Sequence, residues 1–304
     1  MANSRPRTAP AFIRKSIPGA DTTHKGTTVH RELIPTLEER ARKLRVSIIK
    51  TLHRSQSGHT GGSLSAIDVI TALYFHTLRH NPADPAWPGR DRFVLCKGHA
   101  APAQYVALAE AGYFPKEDLM MLRRLGSHLQ GHPDSKQTPG VEVCTGSLGQ
   151  GLSQACGIAL GLRLDGGDRR VFALLGDGEL QEGQVWEAAM SAAHYQLDTL
   201  CAIVDANGLQ IDGEVAKVMG VESIGDKFRA FGWHVTEIDG HDMAQILAAF
   251  DHAATVKGKP TVIIARTIKG KGVSFFENKA SYHGVTPSDE ELPRALHCLG
   301  CLEE

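Results

Sequence analysis

Two turns hold the residues best suited to chemistry: Gly176-Asp177-Gly178-Glu179 and, further along, Asp205-Ala206-Asn207. Each follows an apolar run, at 171–175 and 200–204, of the length and composition of a buried strand. A carboxylate and a carboxamide delivered by two parallel strands can hold one hard divalent cation at the sheet edge. Mg²⁺ fits first, and Ca²⁺ or Mn²⁺ by the same oxygen chemistry. Gly176 and Gly178 let a diphosphate approach the backbone closely. A Gly-Asp-Gly turn alone is common in α/β proteins; here it gains meaning from Asn207 standing at the matching point of a second strand.

Histidines form a second set. His59, His99, His132 and His283 each stand beside a glycine, in turns at strand or helix ends where binding residues gather. Imidazole both donates and accepts a proton near neutral pH, which suits a substrate bearing hydroxyls and a carbonyl that becomes an alkoxide. A lone turn histidine is usually a solvent-exposed bystander, and His128, four residues before His132, is the weaker candidate. Lys269 and Lys271 lie in a glycine-rich stretch that is either a solvated loop or an anion-facing one.

The elements that position these residues read as one α/β unit. Leu37, Ala41, Leu44, Ile48 and Leu52 fall at helical spacing over 35–55, and Ser63 can cap a second helix through Phe75. A short strand at 93–96 precedes a helix near 101–111, and 147–164 is Gly- and Ala-rich with a helical period. A helix near 182–193 between the strands at 171–175 and 200–204 makes a βαβ unit. A strand at 234–238, a helix near 243–256 and a strand at 261–265 follow. This order predicts an α/β fold: a doubly wound, mostly parallel sheet with helices on both faces and its ligand at the carboxyl ends of the strands. The expected division is an extension over 1–27, then one domain over 28–304.

With the remaining motifs in place, the chain resembles the transketolase family. The segments that carry the resemblance are Ser57-Gly58-His59-Thr60-Gly61-Gly62-Ser63-Leu64, Asp91 to Leu95 followed by Lys97-Gly98-His99, Gly131-His132-Pro133-Asp134, Thr145-Gly146-Ser147-Leu148-Gly149-Gln150-Gly151, the Asp177…Asn207 pair, and Lys269-Gly270-Lys271-Gly272 with His283-Gly284. They run in family order from about residue 35 to 285. The resemblance implies the pyrophosphate-binding (PP) domain fold and thiamin diphosphate with Mg²⁺. Asp177, Asn207 and the Leu209 backbone carbonyl would hold the metal. The implied cofactor contacts are His99, Ser147, Leu148, Gly149, Gly176, Gly178, Glu179, Glu182, Ile211, Lys269 and His283, in addition to Asp177 and Asn207. Within that set Leu148 and Ile211 would pack on the cofactor rings or are plain core. Glu182 is either a family carboxylate at the dimer interface near the cofactor or a capping or solvated helix acid. His59, His99 and His132 would line the donor channel, with His283 near the diphosphate and the reacting carbonyl.

Full-length members of that family are about twice as long and continue into a pyrimidine-binding domain. The resemblance therefore implies the N-terminal subunit of a split transketolase, active only with a separate C-terminal subunit, in an α2β2 assembly. The family glutamate that bonds the aminopyrimidine would belong to that partner, as would most residues gripping the acceptor's phosphate. The implied reaction is transfer of a two-carbon ketol unit from a ketose or ketose phosphate to an aldose. Two alternatives stand beside it: the α subunit of a 2-oxo acid decarboxylating dehydrogenase, and a transketolase-like subunit supplying an acyl carrier. The Lys97-Gly98-His99 and Gly131-His132-Pro133 segments favour the sugar-handling reading. Pentose-phosphate sugars are the default, branched or sulfonated ketoses remain open, and Thr60, where the family often has proline, does not decide between them.

Composition sets the outer bounds. The 304 residues are 42% hydrophobic and 22% charged with a net charge of −1. Those values suit a folded domain and suggest neither a nucleic-acid nor a membrane partner. No apolar run has the length of a spanning helix. Arg5, Arg7, Arg14 and Lys15, with no acid before Asp21, overlap with a transit peptide, but the stretch lacks amphipathic period and reads as a mobile tail or packing arm. Cytoplasmic is the default location. The cysteines, Cys96, Cys144, Cys156, Cys201, Cys298 and Cys301, form no disulfide framework. Cys298 and Cys301, preceded by His297, have the spacing of a zinc knuckle or redox pair, without a second pair.

Overall fold

The computed structural model describes residues 22–301. In chain order its elements are α1 (Thr22–Ser55), α2 (Thr60–Ala72), β1 (Arg92–Leu95), α3 (Ala101–Ala111), α4 (Gln150–Leu164), β2 (Val171–Gly176), α5 (Gly183–His194) and β3 (Leu200–Ala206). Then come a two-residue hairpin, β4 (Leu209–Gln210) and β5 (Gly213–Glu214), α6 (Val215–Met219), α7 (Ile224–Ala230), β6 (His234–Asp239), α8 (Met243–Thr255), β7 (Thr261–Arg266) and α9 (Glu291–Cys298). The sheet order is β1-β2-β3-β7-β6, with every neighbouring pair parallel.

Alternation along the strands sorts the core into two layers. Phe93, Leu95, Phe172, Leu174, Cys201, Ile203 and Ile263 pack with α1, α2, α3 and α8. Val94, Val171, Ala173, Leu175, Leu200, Ala202, Val204 and Ile264 pack with α4, α5 and α7. Burial on both faces is what an all-parallel sheet requires, and it explains why these strands read as continuous apolar runs. Cys96, Cys156 and Cys201 are buried, free and part of this core. The register sets Gly176 beside Asp205 and Asp205 beside Ala265, so the turns after β2, β3 and β7 open at one edge.

Several expected boundaries move, each for a local reason. α2 begins at Thr60 rather than near Ser63, whose hydroxyl donates to the His59 carbonyl at 2.7 Å inside the first turn. Gly58, at φ 148°, forms the preceding turn, and the Leu52 side chain stands where a Cβ would be. α4 begins at Gln150, not Ser147, because Gly146 (φ 131°) and Gly149 (φ 85°) hold left-handed backbone that a right-handed helix cannot include. α1 extends back through Pro35 to Thr22, so residues 22–27 of the expected extension are helical; the rest of it, with Arg5, Arg7, Arg14 and Lys15, lies outside the described residues. The hairpin, α6, α7 and α9 lie outside the expected elements.

Candidate active site

A cavity of about 290 Å³ opens at the carboxyl ends of β1, β2, β3 and β7. The turn after β2 brings Gly176, Asp177, Gly178, Glu179 and Glu182 to it, and the turn after β3 brings Asn207. The hairpin adds Leu209, Gln210 and Ile211; the segment after β1 adds Lys97 and His99. His59 enters from the start of α2, Leu148 from the turn before α4, and Lys269 and His283 from the segment after β7. A doubly wound sheet places its ligand crevice at this edge.

Asp177 is buried, and its oxygens accept from the N–H groups of Gly178 at 2.8 Å and Gly208 at 2.5 Å. Burial and the nearby Asp205 push its carboxyl up to about 6, so among the described residues no countercharge fully compensates it. Asn207 Oδ1 accepts from the Leu209 N–H at 3.1 Å, and the Leu209 carbonyl accepts from Lys269 Nζ at 3.1 Å. Among the described residues no group of three or more His, Cys, Asp or Glu forms a metal site. The candidate set is instead one carboxylate, one carboxamide and one backbone carbonyl, all hard oxygen donors. An under-compensated buried carboxylate beside two neutral oxygens fits a divalent cation.

Beneath the cavity lies a buried ion pair. Lys97 Nζ stands 2.5 Å from Asp205 Oδ2, which also accepts from Ser65 Oγ at 2.6 Å, while Thr267 holds Oδ1. Burial raises the Asp205 carboxyl, but Lys97 and these hydrogen bonds outweigh it and leave it below the ordinary range. Glu179 turns inward: it accepts from Gly149 N at 3.0 Å and Gly176 N at 3.1 Å, tying the turn before α4 to the end of β2. Burial lifts its carboxyl to about 7. Glu182 sits at the N-cap of α5, exposed at the cavity and without a side-chain cap.

The histidines converge. Ring centroids of His59, His99 and His283 lie 5.1–5.5 Å apart, and His132 flanks His59 at 6.4 Å, outside the cavity lining. Burial and Arg123 pull His59 down to about 4; burial and Lys269 pull His283 down to about 3. Burial, then Lys97, holds His99 well below its usual range, and burial with Arg123 lowers His132. All four are neutral near pH 7. His283 Nδ1 accepts from Lys269 Nζ at 2.8 Å, which leaves its proton on Nε2. Burial and Lys97 bring Lys269 itself down to about 8. The buried His59 Nδ1 has no partner, an orphaned polar atom of the kind a bound molecule satisfies.

Other expectations separate here. Ser147 and Gly149 shape the turn without lining the cavity, and Ile211 is 66% exposed rather than core. Lys271 lines a different groove, beside His241. His128 is held by Asp118 at 3.1 Å and lies edge-on to Phe114, a packing role. Sequence reasoning assigned no role to Lys97, Asp205 or Arg123. A charged residue closing an apolar strand was the available signal for the first two. Arg123, at φ 59°, spans Ser57 Oγ at 2.9 Å and the Gly131 carbonyl at 3.3 Å, and left no periodic trace.

Residues 37–303 match the family described as "Transketolase, thiamine diphosphate binding domain". The chain belongs to the transketolase family. It is 46% identical over 260 residues to the 6-deoxy-6-sulfo-D-fructose transketolase subunit SqwG of Clostridium sp. (strain MSTE9), covering 86% of this chain and 94% of that protein. It is 42% identical over 263 residues to an apulose-4-phosphate transketolase subunit of Phocaeicola vulgatus, with 86% and 93% covered. The transketolase of Campylobacter jejuni superposes with a TM-score of 0.83 at 36% identity, over 88% of this chain and 43% of that one. The chain thus spans less than half of a full-length transketolase and nearly all of the two subunits. The fold is that of the transketolase N-terminal domain, as the doubly wound parallel sheet predicted.

Proposed function

We propose that this chain is the PP-domain subunit of a split transketolase that, with a separate pyrimidine-domain subunit, transfers a two-carbon ketol unit from a ketose or ketose phosphate to an aldose. The carrying observation is the cavity itself: metal-suited oxygens at the ends of β2 and β3 face a cluster of neutral imidazoles across one space. Bound thiamin diphosphate would supply the electron sink for breaking the donor's carbon–carbon bond. Asp177, Asn207 and the Leu209 carbonyl would hold Mg²⁺, with Ca²⁺ or Mn²⁺ as substitutes. Gly176 and Gly178 leave room for the diphosphate. Lys269 now occupies the Leu209 carbonyl, and a diphosphate is the anion that would draw this ammonium away from it.

His59, His99 and His132 would hydrogen-bond the donor's hydroxyls. His283, with its proton on Nε2, would donate toward the carbonyl oxygen as charge develops there. Arg123 adds a cation on the same side, and burial pulls its guanidinium below the ordinary range. Two relatives are named for 6-deoxy-6-sulfo-D-fructose and for apulose 4-phosphate, a sulfonate and a phosphate, which supports an anionic sugar. An α2β2 assembly, a cytoplasmic site of action and a role in carbohydrate metabolism complete the reading. No described helix is long and apolar enough to cross a membrane. Nothing in the site favours the dehydrogenase or acyl-carrier alternatives.

Deuterium exchange at the thiazolium C2–H, followed by NMR after acid quench, tests the two-subunit reading. With this chain and Mg²⁺ alone, exchange is expected to match free cofactor. With a co-purified pyrimidine-domain subunit it should accelerate strongly, and ketol transfer should appear. Fast exchange with this chain alone would overturn the proposal.

A further inference from the structure

The Cys298-Leu299-Gly300-Cys301 segment takes no part in the site above, yet it has a defined geometry. α9 ends at Cys298, and Gly300 holds a left-handed φ of 73°. The Gly300 N–H donates to the His297 carbonyl at 2.9 Å and the Cys301 N–H to the Leu296 carbonyl at 3.0 Å. This paired closure turns the chain back over the last helical turn. Both cysteines therefore line one open groove of about 480 Å³, together with Ser274, Arg294 and His297. Cys298 is exposed, Cys301 partly so, and both are free thiols.

Arg42 of α1 reaches this turn. Its Nη1 donates to the Leu299 carbonyl at 2.5 Å, in the turn that joins the two cysteines. Glu39 holds the opposite edge of the guanidinium at 2.7 and 2.8 Å. A guanidinium seated in the turn between two thiols, also 3.7 Å from where a Cβ on Gly300 would lie, brings a countercharge to the segment whose thiolate would be the nucleophile of disulfide exchange. Cys144, also exposed, has the opposite setting: its sulfur lies 3.5 Å from an Asp134 carboxylate oxygen. His297, Cys298 and Cys301 do not form a three-ligand metal group.

We propose that Cys298 and Cys301 form a thiol–disulfide exchange site that accepts a low-molecular-weight disulfide of the glutathione type. The Cys301 thiolate attacks one sulfur of glutathione disulfide, whose S–S bond breaks, and one glutathione leaves and takes a proton. Cys298 then loses its proton to solvent, attacks the Cys301 sulfur of the mixed disulfide and expels the second glutathione. The chain loses two hydrogens and gains an intrachain disulfide, while one glutathione disulfide becomes two thiols.

The test incubates the full chain with glutathione disulfide, quenches with acid, alkylates and maps peptides by mass spectrometry. The expected product is a peptide containing a Cys298–Cys301 bond, formed faster than any adduct at Cys144. Cys298→Ser should stop at a glutathione adduct on Cys301, and Cys144→Ser should leave the pair's rate unchanged. Arg42→Gln should slow the reaction roughly three- to tenfold by removing the countercharge. Circular dichroism checks that each variant remains folded. Glutathione adducts on Cys298 and Cys301 that never resolve to the intrachain bond, or a pair that reacts no faster than Cys144, would overturn the assignment. Stoichiometric zinc retained by the reduced chain and lost in both serine variants would overturn it as well.

Discussion

Lys97 Nζ and Asp205 Oδ2 stand 2.5 Å apart across the ends of two strands that are not neighbours, with 2% and 1% of their side chains exposed. The pair locks the segment after β1 to the end of β3, directly beneath the cavity that Asp177 and Asn207 line. A buried pair of this kind is weak support for stability as a whole, but breaking it leaves one charge uncompensated. Lys97→Met should therefore destabilise the chain by roughly 3–5 kcal/mol. Combining it with Asp205→Leu should recover part of that loss. Urea unfolding of both single variants and the double variant checks this, and strictly additive losses would contradict the coupling.

The metal reading predicts a defect in binding rather than in folding. Asp177→Ala or Asn207→Ala removes one of few protein oxygens from a site that must also neutralise a diphosphate. In the complex with its partner subunit, Mg²⁺-dependent affinity for thiamin diphosphate should fall by at least the roughly 10–100-fold that loss of an outer-shell partner costs. Calorimetric titration reads this directly, and unchanged affinity in either variant would contradict the assignment.

Thr60 gains a role from the fold. Its hydroxyl donates to the Val285 carbonyl at 2.6 Å, pinning the segment that carries His283 to the first turn of α2. Proline at this position would have no hydroxyl to offer. Thr60→Val should lower stability by about 1 kcal/mol. It should reduce kcat/KM for the donor by about fivefold if the bond's whole worth is expressed at the transition state. Thr60→Ser should restore both. Steady-state kinetics with the partner present would show equal constants for all three proteins if the bond positions nothing.

Histidine burial predicts the pH dependence of stability. In the unfolded chain an imidazole takes a proton below about 6.5. In the folded chain His59 does so only near 4 and His283 only near 3. Their folded values are depressed, so the stability they allow is fully present above about 6.5 and is lost as pH falls toward the folded values. The urea midpoint should fall between pH 7.5 and 5.5. A His59→Asn, His283→Asn double variant should show a shallower fall, and an identical slope would contradict the linkage.

The sequence alone determined the sheet and its functional edge. Unbroken apolar runs at 171–175 and 200–204 can satisfy their burial only between helices on both faces, and the polar residues that end them can only open at the carboxyl edge. The glycine-flanked histidines were legible for a similar local reason, since a turn exposes what it carries. Tertiary structure decided which of these residues meet. Lys269 enters the cavity while Lys271, two positions on, faces another groove, because the turn between them reverses the side. Glu179, read as a cofactor contact, spends both oxygens on Gly149 and Gly176, and its bond to Gly149 joins segments about thirty residues apart that no local pattern links. Lys97 and Asp205 read as two unrelated charges until the parallel register brought the ends of β1 and β3 together and made each the other's counterion. Local sequence sets which face a side chain takes; pairing of distant charges and donors depends on strand order and register, and these arise only when the whole sheet assembles.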